Sequence, residues 1–211
     1  MKSKIVVGCI LLGLFLLWTV AVCILDVQPI GPCDSCVGFA SINGCFHNLT
    51  GVNFGRYDIT DWLSLIPIAV VIGFGILGFT QWIQRKSLLR VDRSILALGI
   101  FYLVVGAVFV FFEIVVINFR PVLIDGVLEA SYPSSTTMLV LCVMGSAMLQ
   151  FRDRINNPAL RRCIIFAIAF FTAFMVIGRL LSGVHWLTDI VGGGLLSGGL
   201  LALYDGIAFD R

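Results

Sequence analysis

Six apolar runs, each near the length that crosses a bilayer, divide this 211-residue chain and leave few folds open to it. A hydrocarbon core about 30 Å thick takes roughly 20 helical residues. Within it every backbone N–H and C=O must be satisfied inside the chain, which admits only helices or a closed barrel. The spacing predicts spans over 5–25, 62–83, 95–117, 134–151, 163–181 and 186–204. We therefore expect an all-α integral membrane bundle of about six transmembrane helices. Composition agrees, with 59% hydrophobic and 12% charged residues, about half the charge of a soluble domain. Lys2 and Lys4 precede a run too long for a signal-peptide core, so the first span reads as retained. The expected organisation is a first transmembrane helix in 1–25, an extracytoplasmic loop in 26–61, a transmembrane core in 62–205 and a cytoplasmic tail in 206–211. Glycines 192, 193, 194, 198 and 199 in the last run predict close helix packing.

Charge placement orients the bundle. With the N-terminus in the cytoplasm of a multi-pass plasma-membrane protein, Lys2, Lys4, Arg85, Lys86, Arg90, Arg93, Arg152, Arg154, Arg161, Arg162 and Arg211 all fall inside, as the positive-inside rule asks. Arg56, Arg120 and Arg179 fall outside, where topology gives arginine no reason to be. The net charge is only +2, and no basic tract interleaved with aromatics points to nucleic acid.

The segment 26–61 is rich in Gly, Pro and Asn and reads as a long loop with turn chemistry, with room for a short interfacial helix. It holds Cys33, Cys36 and Cys45. Three thiols without a second Cys-x-x-Cys make a weak zinc signal, and a disulfide within the loop would leave one over.

The outer ends of the last four spans carry the chemistry. Ionisable residues near membrane depth default to a functional hypothesis. Arg179, His185 and Asp189 stand between two apolar runs, with Ser182 and Gly183 allowing a bend. His185 and Asp189 are four apart, so on a helix they would share a face and the carboxylate could hold the imidazole. Tyr132-Pro133-Ser134-Ser135 reads as a helix start, with proline in the first turn and a serine cap. Helix N-termini bind anions, and arginine forks fit phosphate oxygens. Together with Arg120 these residues describe an extracytoplasmic phosphate pocket. A neutral histidine there can attack phosphorus and form a phosphohistidine that water hydrolyses. No acidic cluster suggests Mg²⁺, so we expect a metal-independent reaction with no cofactor.

Arg120-Pro121, Pro133-Ser134 and Arg179-x5-His185-x3-Asp189 resemble the three signature motifs of the type-2 phosphatidic acid phosphatase/haloperoxidase superfamily, over roughly residues 60–205. The resemblance implies a phosphatase-like core, His185 as nucleophile with Asp189 as its partner, and Arg120, Arg179 and Ser134 as phosphate ligands. Ser135 joins them at the same helix start. It implies a membrane lipid phosphate as substrate and the bilayer as surroundings. Two positions depart from the pattern. Glu113 stands where the first motif has lysine, and Thr136 where the second has the histidine that protonates the leaving group. Glu113 or His47 could supply that proton, and a diphosphate would need little help. Glu113 would share a face with Arg120 if the third helix continued that far. The rival readings are a lipid-phosphate binder with impaired catalysis and a lipid phosphotransferase.

Overall fold

The computed structural model describes residues 2–209. Met1, Asp210 and Arg211, assigned above to the first span and the cytoplasmic tail, lie outside the described residues. The chain is helical: α1 (Lys2–Ile24), α2 (Ala40–Thr50), α3 (Phe54–Leu63), α4 (Leu65–Arg85), α5 (Arg93–Ile114), α6 (Ser135–Arg154), α7 (Pro158–Leu181) and α8 (Leu187–Ala208). Five stretches are long and apolar enough to cross a membrane: α1, the pair α3–α4 taken together, α5, α7 and α8. The sixth long helix, α6, spans 20 residues but carries Ser, Thr and Gln. It can do so because it is the central helix, packed by α4, α5, α7 and α8. Its polar side chains face protein rather than lipid: Ser146 bonds Tyr102, and Gln150 donates to Tyr204 and Ser94.

Local chemistry sets several boundaries. Asn157 caps α7, accepting from the amides of Ala159 and Leu160, and Pro158 fills the first helical position. Close packing occurs at two of the predicted glycines. A Cβ on Gly199 would lie 2.8 Å from Leu12 of α1, and one on Gly192 would lie 2.6 Å from the Tyr132 ring. Tyr132 is held there by stacking on Phe15 and by a 2.7 Å hydrogen bond with Thr19.

The segment 26–61 is no open loop. It folds into α2 and α3, joined by residues 51–53. The Asn and Gly residues that suggest turns instead punctuate short helices. Asn53 caps α3 by accepting from Arg56 N at 2.9 Å. Asn43 sits inside α2, donates to Gly38 O and Thr188 Oγ1, and accepts from Thr188 N. The Asn43 bonds tie α2 to the start of α8, while α3 packs against α7. Cys33, Cys36 and Cys45 are unpaired and exposed. Among the described residues no His, Cys, Asp and Glu cluster is arranged to hold a metal ion.

The two ends of the bundle differ. One gathers Lys4, Arg85, Arg152 and Arg154 around Asp92 and Asp205. The other, roofed by α2 and α3, holds Arg120, Arg179 and His185.

Candidate functional site

Three connections build the site. After α5, residues 115–134 fold back on themselves. Arg120 N donates to Glu129 O at 3.0 Å, and Ser131 N donates to Asn118 O at 2.9 Å. This narrow antiparallel return places Arg120 and Ser131 side by side with the start of α6. Arg120 is buried, and its Nε lies 3.1 Å from Glu129 Oε2. Helix α5, the third predicted span, ends at Ile114, so Glu113 and Arg120 do not share a helical face. Glu113 is exposed and lines a small cleft with Ser131, Pro133 and Ser135. It takes no part in holding Arg120.

Ser134 caps α6, accepting from Thr137 N, while its own amide donates to Asp189 O at 3.1 Å. Pro133 therefore precedes the cap instead of opening the helix. Ser135 and Thr136 form the first turn of α6, where free amides and the positive dipole end favour an anion.

Arg179 ends α7 and is 2% exposed, among the most buried side chains in the protein. Its Nη2 donates to Thr136 Oγ1 and to Asp61 Oδ1, the latter at 3.1 Å. Its guanidinium lies 4.6 Å from the centre of the Tyr57 ring, which the Arg120 guanidinium approaches at 6.0 Å. Thr136 thus accepts from an arginine as well as starting a helix.

His185 sits in the turn between α7 and α8. Gly183 makes that turn with φ +70°, and a Cβ there would lie 2.0 Å from Gly51 O. The roof presses on the turn elsewhere too, through Asn53 N donating to Ser182 O at 2.9 Å. His185 precedes α8, so it and Asp189 do not share a helix face. His185 Nδ1 and Asp189 Oδ2 are 3.6 Å apart. Ser131 bridges them: its Oγ lies 3.1 Å from His185 Nδ1 and donates to Asp189 Oδ2. A carboxylate only accepts, and serine has one hydroxyl proton. Ser131 therefore donates to Asp189, and His185 Nδ1–H donates to Ser131. That order leaves Nε2 with a free lone pair. Asp189 Oδ2 also accepts from Trp186 N at 2.8 Å, closing the first turn of α8.

Burial pushes the His185 pKa down to about 4, with Arg120 and Arg179 adding to the shift and Asp189 opposing it. The ring is neutral at physiological pH. His47 lies in α2, half-buried against Trp186 at 5.4 Å between ring centroids, with its pKa also lowered by burial. It forms part of the roof.

The sequence reading missed Tyr57, Thr60, Asp61, Glu129 and Ser131. Thr60 and Asp61 both accept from Arg179. A cluster of acids and a hydroxyl directly ahead of an apolar run was their one sequence signal. For Ser131 it was adjacency to Tyr132-Pro133-Ser134.

The fold and site define a multi-pass membrane protein with a buried site of two arginines and a neutral histidine at one end of a helical bundle. The chain belongs to the PAP2 superfamily, whose family model matches residues 62–209, well over half of its length. The structure also resembles the crystal structure of the first transmembrane PAP2-type phosphatidylglycerolphosphate phosphatase from Bacillus subtilis, with a TM-score of 0.62 and 18% sequence identity over 94% of each chain. At that identity the likeness shows a shared fold. Among curated proteins none matches the chain significantly. Helices α1 to α3 precede the family match, apart from the last two residues of α3.

Proposed function

We propose that this membrane phosphatase-family protein hydrolyses a lipid phosphate or lipid diphosphate through a phosphohistidine on His185. One observation carries the reading. Arg120 Nη1, Arg179 Nε and His185 Nε2 are all buried and lack hydrogen-bond partners. Leaving such groups unpaired costs roughly 1–3 kcal/mol each, a cost that a bound phosphate would offset. Two arginine forks would take the phosphoryl oxygens, joined by the Ser134 hydroxyl and the first-turn α6 amides at Ser135 and Thr136. Nε2 would attack phosphorus as the bond to the lipid oxygen breaks. Asp189, acting through Ser131, would stabilise the charge gained by the ring. Water would then attack phosphorus, the bond to Nε2 would break, and phosphate would leave.

The lipid has a place. A groove of about 390 Å³ runs from Ser135 and Thr136 down between α4, α5 and α6, past Val71, Val105, Leu139 and Val143. Its lining suits an acyl or prenyl chain whose head group reaches the arginines. Thr136 would position Arg179, and Glu113 would modulate the small cleft beside Ser131. Charge distribution supports a plasma-membrane orientation with a cytoplasmic N-terminus and the site outside. The residue ranges 1–25, 26–61, 62–205 and 206–211 fit this reading as an anchor helix, a site roof, the phosphatase core and the tail. A protein that binds lipid phosphate without turnover is the second reading, favoured by the hydroxyl of Thr136 where a histidine would donate a proton.

The test is phosphate release by purified protein in detergent from phosphatidate, phosphatidylglycerophosphate and an isoprenyl diphosphate, with EDTA present. We expect release from at least one lipid, and a loss of at least about 10³-fold in His185→Ala. Arg179-dependent lipid binding without release would favour the binder.

A further inference from the structure

The proposed reaction moves two protons: the departing lipid oxygen gains one and the attacking water loses one. His185 carries neither, because Nδ1–H is committed to Ser131 and Nε2 bonds phosphorus. The hydroxyl of Thr136 is no acid or base at neutral pH. Four carboxylates surround the site. Asp189 is wholly buried, and its Oδ2 already takes two hydrogen bonds. Glu129 is bound to the Nε of Arg120. Glu113 lines the small cleft that Phe109 and Phe112 wall beside Ser131 and Pro133.

Asp61 is placed differently. Its Oδ1 accepts from Arg179 Nη2, the same nitrogen that donates to Thr136, so carboxylate and hydroxyl face each other across one NH₂ group. The unpartnered Nε of Arg179 belongs to the same guanidinium. A phosphate bound at that Nε would have Asp61 at its flank. The Asp61 side chain is 56% exposed, so water reaches it. It lies in the last turn of α3, next to the lipid groove: Ser64, whose amide donates to Asp61 O at 3.0 Å, lines that groove. An ionised carboxylate can take a proton and has none to give.

We infer that Asp61 is the general base for the second half of the reaction. It draws a proton from water as the water oxygen bonds phosphorus; the phosphorus–Nε2 bond breaks, its electron pair returns to the imidazole, and Asp61 leaves protonated. The proton then passes to bulk water through the exposed face. This inference rests on the phosphohistidine reading and assigns the base to the helical roof, ahead of the residues that the family model matches.

Rapid-quench kinetics of Asp61→Asn tests it, with the lipid that gives the highest phosphate release as substrate. We expect lipid product in a burst at the wild-type rate, phosphohistidine accumulating on the protein, and steady turnover down by about 10²-fold or more. Asp61→Glu should recover part of the turnover, and an unchanged melting temperature in detergent would show that Asp61→Asn is folded. Loss of the burst together with turnover would overturn the inference, because Asp61 would then act only by holding Arg179. Wild-type turnover in Asp61→Asn would overturn it as well. Absence of any His185-dependent phosphoenzyme in the wild type would sink the phosphohistidine reading itself, and this inference with it.

Discussion

The two ends of the bundle use the same residue types to opposite effect. At one, Asp92 holds Arg85 and Arg154 while Asp205 holds Lys4 and Arg152; all four cations are partly exposed. At the other, Arg120 and Arg179 are buried, each has a single carboxylate, and each keeps a nitrogen without a partner. Exposed ion pairs contribute about 0–1 kcal/mol, so the first end anchors a topology and tolerates change. The second end carries buried charge that its own residues do not fully satisfy. A fold keeps such a cost where a ligand completes the bonding.

The contrast can be attacked from the site end first. Arg179→Lys keeps the charge but loses the planar fork that meets Thr136, Thr60 and Asp61 at once. We expect phosphate release to fall about 10²-fold; near-normal release would mean that charge alone suffices. Ser131→Ala removes the bridge between His185 and Asp189. Its effect should be about tenfold on kcat, one hydrogen bond's worth, with KM little changed.

A pH experiment sharpens the same point. The folded chain protonates His185 near pH 4, whereas an unfolded chain does so near pH 6.5. Between these values the unfolded state binds the extra proton, so stability should fall as pH drops from about 6.5 to about 4. The melting temperature in detergent should follow, and His185→Gln should flatten that dependence. At the opposite end, Arg152→Ala should shift stability by less than about 0.5 kcal/mol and leave phosphate release unchanged. A large loss of activity there would erase the distinction between the two ends.

How far the sequence reached depends on the range of each interaction. The long helices were legible because bilayer thickness writes their length into apolar runs; even α6, the most polar, kept enough of the pattern. Arg120, Arg179 and His185 stood out because charge in those places has no topological reason. Helices α2 and α3 were hidden, since their Asn and Gly residues serve caps and tertiary bonds that resemble turn chemistry. Asp61 meets Arg179 from 118 residues away, and Ser131 meets His185 from 54 away. No periodicity encodes such pairs. The spacing of His185 and Asp189 suggested one helical face, yet the chain turns at Gly183 and delivers the histidine from outside α8. Residue types were readable there, and the way they meet was not.

The most direct test of a nucleophilic histidine is to quench turnover of a lipid carrying a labelled phosphoryl group and ask where the label sits. We predict an acid-labile, alkali-stable phosphoryl group on His185 in the wild type and none in His185→Ala. Label on another residue, or hydrolysis that continues without His185, would contradict the account.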